Sequence, residues 1–346
     1  MKRINILGFG LIGKERAKAV AKLRAKGHDV ELGLIYDPFL KDIGTEFEGL
    51  HLQIERDIRK FWDDQADLWI IACPHDVATE YACAALKMGK HILLEKPMGR
   101  NLHEAKAIIN AATSPELLNV GFNYRFMGGI RALLKDLEAK SFGDLISVTM
   151  QQGHGGRPGD EKTWKLDPTR CGGGALLDPG VHLLDLVCLI SQGRPIQVRG
   201  AAAWSGFWRT GIEEDVYAVL ATRKLTFGLH VSVVHWRSSF HIQVLGTEGY
   251  GIVKGRGGSY GPQSYIRGER WGWRSGVSQA ESEETVTTTD CEDSFADELS
   301  AVLGLSHETC DLTTDGSAAW KVMETHDGIR GKLKWSHMTG KRSSKR

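Results

Sequence analysis

Ile4-Asn5-Ile6-Leu7-Gly8-Phe9-Gly10-Leu11-Ile12-Gly13 is the stretch of this chain that decides its fold. A short apolar run ends in a glycine, and a helix-like stretch follows from Leu11 to Lys26. The junction carries a Gly-x-Gly-x-x-Gly pattern, which is weak alone but informative where it joins a strand to a helix. The first glycine permits a tight turn, the second lets the backbone approach a pyrophosphate, and the third lets helix and strand lie close. The start of the helix adds free N–H groups and a positive dipole end for phosphates. Gly8, Gly10, Leu11, Ile12 and Gly13 are therefore candidate contacts to a bound dinucleotide.

Outward from that junction, two periodicities alternate through residue 122. Val30 to Tyr36 reads as a second strand, Leu68 to Ala72 as a third, His91 to Leu94 as a fourth and Leu118 to Val120 as a fifth. Helical stretches at Val77 to Met88 and Leu102 to Ala112 lie between them. Short, nearly continuous apolar strands separated by helices predict a doubly wound parallel sheet covered on both faces. Asp37 ends the second strand, 24 residues past Gly13, where an acid that binds the adenosine ribose is expected about 20 residues on. Its carboxylate would accept from the ribose hydroxyls and repel a 2′-phosphate, favouring NAD over NADP, although Lys41 is near enough to keep NADP open. The plainer alternative is that Asp37-Pro38 opens a turn.

The second half changes character. Arg125 to Ala139 and Ala175 to Ile190 read as helices. Strand-like runs then follow at Ile196–Trp204, Asp215–Ala221, Leu225–Val233 and Phe240–Leu245. Alternating strands joined by short polar turns predict a large, open, mainly antiparallel sheet with one buried face. Ser294–Leu303 and Gly316–Ile329 read as closing helices, and Lys254–Gln279 as a long loop. The expected division is an α/β dinucleotide-binding domain over 1–122, an α/β domain for substrate and oligomer contacts over 123–330, and a frayed tail over 331–346.

Bulk composition excludes several classes. With 346 residues there is room for about two domains. A hydrophobic content of 41%, a charged content of 25% and a net charge of +1 describe an ordinary globular chain with no global field for nucleic acid or an anionic membrane. The basic cluster Lys341 to Arg346 is read as a solvated tail. No run approaches the ~20 apolar residues that span a bilayer, and no signal-peptide layout follows Met1-Lys2-Arg3. Six scattered cysteines without a Cys-x-x-Cys pair suit reduced thiols in the cytoplasm. No metal is expected, since neither a His-Glu-x-x-His motif nor clustered His/Cys spacing occurs.

Two further segments carry chemistry. Glu95-Lys96-Pro97 follows the fourth strand at the carboxyl edge of the sheet, where open α/β folds bind ligands. Gly172-Gly173-Gly174-Ala175-Leu176-Leu177-Asp178-Pro179-Gly180-Val181-His182 places Asp178 and His182 four apart, on one face if the segment is helical. The structural alternative makes Asp178 an N-cap, Pro179 the first helical residue and His182 a satisfied core histidine.

Together the strand–Gly-x-Gly-x-x-Gly–helix start, Glu95-Lys96-Pro97, Gly121-Phe122-Asn123-Tyr124-Arg125-Phe126 and Gly173 through His182 resemble the glucose–fructose oxidoreductase / inositol dehydrogenase / MocA family, over roughly residues 3 to 250. The resemblance implies a Rossmann domain followed by an α/β domain whose open sheet often serves for oligomerisation, as a homodimer or homotetramer. It also implies catalytic roles for Lys96, Asp178 and His182. Cofactor contacts are implied for Cys73-Pro74-His75 and for Glu95, Lys96 and Pro97. This chain departs from the family where Cys73-Pro74-His75 stands for the common Thr-Pro-Asn, and where Ala78 replaces a common histidine. Cys73 is read as a packing cysteine rather than a redox thiol.

The chemistry suits those three residue types. Oxidising a secondary alcohol removes a hydride and a hydroxyl proton, and an imidazole with an ordinary pKa near 6.5 is a natural base. Lys96 would hydrogen-bond the substrate oxygen and stabilise alkoxide charge, and Asp178 would orient the base or hold a neighbouring hydroxyl. Candidate substrate contacts are Lys96, Asn123, Arg125, Arg157, Trp164, Asp178 and His182, facing a sugar-like small molecule. His154-Gly155-Gly156 and the Lys254–Gln279 segment add polar and aromatic groups near the expected cleft. The expected function is an NAD-dependent dehydrogenase or reductase. The alternatives are a glycosidase using NAD without net redox, or a non-catalytic NAD-binding regulator.

Overall fold

The computed structural model describes residues 1–40, 47, 52–156, 159–270, 284–306 and 308–337. Two compact units emerge: Met1–Arg131 with Asp290–Met323, and Ala132–Thr289 with Glu324–Arg346. The segment 290–323, which the single boundary at residue 122 would leave with the second half, belongs to the first unit.

The first unit is built on a parallel sheet. Its strands are β1 (Lys2–Leu7), β2 (Val30–Tyr36), β3 (Gln53–Glu55), β4 (Leu68–Ile71), β5 (Ile92–Glu95) and β6 (Leu118–Gly121). The spatial order is β3-β2-β1-β4-β5-β6. Ile4, Ile6, Leu68, Ile70, Ile71 and Ile92 to Leu94 are fully buried, as strands covered on both faces require. Helices α1 (Leu11–Ala25), α2 (Ile58–Asp63), α3 (His75–Lys87) and α4 (Leu102–Ala111) supply the cover. Because β2 and β4 flank β1, the order in which strands are added reverses after β3, back to the other side of β1, and the crevice at the carboxyl end of the sheet there is where such folds bind ligands. The short edge strand β3 was not legible in the sequence; it pairs only with β2 over Gln53 to Glu55.

Two connecting helices contain the division between the units: α5 (Gly128–Glu138) and, further on, α9 (Gly316–Arg330). The second unit adds β7 (Leu145–Gly153), α6 (Pro168–Cys171), α7 (Gly180–Ile190), β8 (Gln197–Ser205), β9 (Asp215–Ala221), β10 (Thr226–Ser232), β11 (Ser239–Gly246), β12 (Gly249–Lys254), β13 (Gln263–Glu269), β14 (Glu284–Thr289) and β15 (Leu333–His337). Helix α8 (Ser294–Val302) returns to the first unit, where Ala296 and Leu299 enter the core against α1. The second sheet runs β14-β13-β12-β11-β7-β10-β9-β8-β15. Its pairs are antiparallel except β7–β10 and β8–β15. One face is buried through Val148, Met150, Val216, Leu220, Phe227, Val231, Ile242 and Val244. The opposite face exposes Tyr217 and Val219 beside a depression of about 930 Å³. Among the described residues no helix is long and apolar enough to cross a membrane.

Four expectations need correction. Helix α7 begins at Gly180, and residues 175–179 form turns, so Asp178 and His182 do not share a helix face. A proline disfavours helical backbone in the residue before it, which separates Asp178 from the helix, and the Asp178–Pro179 peptide is cis. Nor does Asp178 cap α7: Pro179 occupies that position without a side-chain cap. The stretch 254–279 is not all loop, since β13 lies within it and pairs with both β12 and β14. The tail is not frayed throughout, because Leu333–His337 pairs in parallel with β8 and Lys332 Nζ donates to the Val198 carbonyl at 2.6 Å.

His326, on the second-unit part of α9, is 1% exposed. Burial first, and the Arg330 charge second, push its pKa down to about 3. The fold therefore holds it neutral, and its contribution to stability is complete above pH 6.5 and lost as pH falls toward 3. Below about pH 6 the loss approaches roughly 1 kcal/mol per pH unit. The urea midpoint of His326→Leu should accordingly fall less steeply with acid than that of the native chain; parallel curves would refute the assignment.

Candidate active site

The phosphate loop follows from three glycines in different environments. Gly8 has φ +91°, and a Cβ on it would lie 2.6 Å from the Ala72 carbonyl oxygen. A Cβ on Gly13 would lie 1.9 Å from the Gly8 carbonyl oxygen, so the helix can approach β1 only through glycine. Gly10 differs: its backbone is extended, and a Cβ there would meet nothing within 4 Å. That open space, at a helix start with no side-chain cap and no acid in its first turn, fits a pyrophosphate. Leu11 is exposed and Ile12 half-buried at the same edge.

Asp37 follows β2. Its Oδ2 accepts from the Phe9 N–H at 2.8 Å and its Oδ1 from the Phe39 N–H at 2.9 Å, so the carboxylate is tied to the phosphate loop. Arg56, which the sequence reading missed, donates to the Asp37 carbonyl at 3.4 Å and to the Leu40 carbonyl at 3.1 Å. It sits next to Asp37 because β3 pairs with β2. Lys41 lies outside the described residues. After β4, Pro74 caps α3 and His75 opens it, 8% exposed. Burial, reinforced by the charges of Asp76 and Asp37, pushes the Cys73 thiol up to about 12, so it is not a thiolate at neutral pH.

Glu95 ends β5, and Lys96 follows it, half-buried, with a cis peptide to Pro97. Glu95 does not stand free for a ligand. Arg16 of α1, fully buried, places Nη2 2.5 Å from Glu95 Oε1 and 2.6 Å from Glu298 Oε2, while its Nε donates to Glu95 Oε1 at 2.6 Å. Burial pushes the Glu298 carboxyl up to about 7 against the pull of Arg16, and the neighbouring Glu95 charge adds to the rise. The signal for both residues was present in the sequence, a charge inside the apolar stripe of Ala17, Val20 and Leu23 in one helix and of Ala296 and Leu299 in the other. Asn123 and Arg125, proposed as substrate contacts, are buried in a 3-10 turn. Asn123 Nδ2 donates to Ser294 Oγ at 2.9 Å, and Arg125 Nη1 donates to the carbonyls of Leu312 and Thr313, each at 3.3 Å. Both therefore tie the returning segment to the first unit.

In the second unit, Glu213 holds the glycine-rich turn. Its Oε1 accepts from the Gly174 N–H and its carbonyl from the Ala175 N–H, both at 2.8 Å. Burial raises its pKa. Asp178, at the end of that turn, is half-buried, and His182 is 5% exposed on the first turn of α7. Asp178 acts on His154, which follows β7: burial lowers the pKa of that imidazole, Asp178 counteracts, and Lys165 and Arg256 add to the lowering. The Gly156 N–H donates to His154 Nδ1 at 3.1 Å, which leaves the proton of the neutral ring on Nε2. Trp164 packs against Leu166, Cys171 and Ile212 in a small satellite core, and Arg157 lies outside the described residues. Lys96 thus belongs to the first unit, and Asp178 and His182 to the second.

Comparison with known proteins matches this layout. Residues 2–122 match the oxidoreductase family with an NAD-binding Rossmann fold, GFO/IDH/MocA, and residues 130–251 match the GFO/IDH/MocA C-terminal domain. The chain belongs to this family. It is 29% identical over 198 residues to glucose-6-phosphate 3-dehydrogenase of Bacillus subtilis (strain 168), covering 54% of this chain and 53% of that protein. The chain thus spans about half the length of the curated relatives it matches. Two solved structures share the fold. The 3-ketoreductase KijD10 from Actinomadura kijaniata, in complex with NADP and TDP-benzene, has a TM-score of 0.77 at 18% identity, covering 98% of this chain and 99% of that one. The aldose-aldose oxidoreductase from Caulobacter crescentus, complexed with glycerol, has a TM-score of 0.76 at 19% identity, covering 96% and 97%.

Proposed function

We propose that this protein is an NAD(H)-dependent oxidoreductase that moves a hydride between nicotinamide and a secondary alcohol or ketone carbon of a sugar, a cyclitol or a nucleotide-linked sugar. The observation that carries the reading is the uncapped, unfilled start of α1 at Gly10, with the Asp37 carboxylate bonded into the same loop. The dinucleotide, when bound, supplies the hydride acceptor or donor. In the oxidative direction the substrate loses its C–H hydrogen as hydride and its O–H proton to His182, and a C=O bond forms. Lys96 donates a hydrogen bond to the substrate oxygen and steadies negative charge as that proton leaves. Asp178 orients the base or holds a neighbouring hydroxyl. In reduction His182 returns the proton.

Asp37 supports NAD over NADP through repulsion of a 2′-phosphate. A specific observation favours the second reading: Arg56 lies beside Asp37, where a guanidinium accommodates that phosphate. The names of the relatives support a sugar substrate. The reading includes a cytoplasmic homo-oligomer, with a second copy on the open face of the nine-stranded sheet, supported by exposed Tyr217 and Val219. Monomeric sedimentation at micromolar concentration would remove that part.

The deciding experiment follows the near-ultraviolet absorbance of reduced nicotinamide with NAD or NADP and a panel of sugars, cyclitols, uronic acids and nucleotide sugars. A signal with one substrate class, larger with NAD, is expected. Tight NAD binding with silence across the panel would overturn the oxidoreductase reading, and a larger signal with NADP would overturn the cofactor preference.

A further inference from the structure

Glu95 and Lys96 are consecutive, and everything that fixes the first constrains the backbone of the second. The Glu95 carboxylate meets a guanidinium that is wholly removed from water, and that guanidinium meets a second carboxylate, Glu298, from a segment more than two hundred residues further along the chain. Phe295 of α8 closes over the guanidinium, with its ring centroid 4.7 Å from Arg16 Cζ. Gly121 leaves the space beside it, since a Cβ there would lie 2.7 Å from Arg16 Nη2. Helix α8 is held independently as well, by Lys22 and Lys26 of α1 on Asp293 at 2.9 and 2.6 Å.

Such a cluster is a poor way to gain stability. Burying two or three charges carries a desolvation penalty that their attraction only balances, and apolar residues of equal volume commonly do as well or better. What a planar, forked guanidinium provides is direction, which a lysine or an apolar residue cannot reproduce. Here it joins three places: the helix that opens at the phosphate loop, the end of β5, and α8.

We propose that Arg16 and Glu298 are positioning residues for Lys96. Glu298 orients the Arg16 guanidinium, Arg16 fixes the Glu95 carboxylate, and the strand end so held presents the Lys96 ammonium in one place relative to the dinucleotide loop. The inference rests on the reading of Lys96 as a catalytic residue, but the labelling that tests the positioning role does not require the substrate.

The test is the rate at which Lys96 is acetylated by acetic anhydride in the full-length folded protein, read by mass spectrometry against the exposed Lys87 as internal standard. Arg16→Met and Glu298→Ala should free the strand end and speed Lys96 labelling about tenfold relative to Lys87, through local opening. Glu298→Gln keeps the shape and a hydrogen bond to Arg16 and should restore the native ratio. A purely structural cluster would lower the thermal midpoint and leave the ratio unchanged in Glu298→Ala, and that result would overturn the proposal. If Arg16→Met does not fold, the Glu298 pair carries the comparison. Full turnover in Lys96→Ala would remove the catalytic reading of Lys96 and this inference with it. An inactive Lys96→Ala together with an unchanged labelling ratio would overturn the positioning role alone.

Discussion

Lys96→Ala is expected to lower turnover about 100- to 1,000-fold, the effect of deleting one donor to a developing oxyanion. The dissociation constant for NAD should stay within about threefold, because the contacts proposed for the phosphates and ribose lie on other residues. Lys96 follows β5, at the same sheet edge as the phosphate loop after β1 and Asp37 after β2. Its truncation leaves the Arg16–Glu95 pair untouched, so the strand end keeps its place. His182→Ala should lose about 100- to 10,000-fold, as removal of a general base does. Steady-state rates on the substrate identified by the panel, with calorimetric NAD binding on the same preparations, check both. Native turnover in the two variants together would sink the catalytic assignment.

A second large effect separates two glycines three residues apart, Gly13 and Gly10. Gly13→Ala places a methyl 1.9 Å from the Gly8 carbonyl oxygen, a backbone atom with no way to yield. Overpacking of this kind costs about 3 kcal/mol or more, which lowers the melting temperature by roughly 6 to 12 °C for a unit of this size. Gly10→Ala places the same methyl in open space on extended backbone, so the melting temperature should hold. That methyl occupies the side proposed for the pyrophosphate, and NAD affinity should fall about 10- to 100-fold, or roughly 1.4 to 2.8 kcal/mol. Thermal melts and NAD titrations on the two variants distinguish the outcomes. A Gly10→Ala variant that binds NAD as the native chain does would remove the phosphate site from the start of α1.

Much of the first unit was readable in one dimension. Buried parallel strands are nearly continuous apolar runs, and Ile4 to Leu7, broken only by Asn5, Leu68 to Ile71 and Ile92 to Leu94 stand out for that reason. The glycine spacing follows from backbone sterics over a few residues, and the proposed role of Asp37 from its place at the end of β2, so a local pattern carries both readings. β7 was missed because only alternate residues, Val148 and Met150, enter the core, while Ser147, Thr149 and Gln151 dilute the signal. Alternation in a sheet with one open face is a weaker mark than continuous burial.

What local sequence determined, then, is the strand–turn–helix at Gly8 to Gly13, the acid at Asp37, and the succession of elements that makes a covered parallel sheet. Each depends on neighbours within a helical turn or a strand. Only the tertiary structure decided that α8 returns to the first unit, that Arg16 joins Glu95 to Glu298, that β15 extends the second sheet, and that Glu213 holds the turn before Asp178. Each of these is a contact between residues far apart in the chain, selected by which buried charge or open strand edge finds a partner once the chain has collapsed. A lone charge in an apolar stripe announces that a partner must exist, since an unpaired buried charge is too costly to keep; it does not say which segment supplies it.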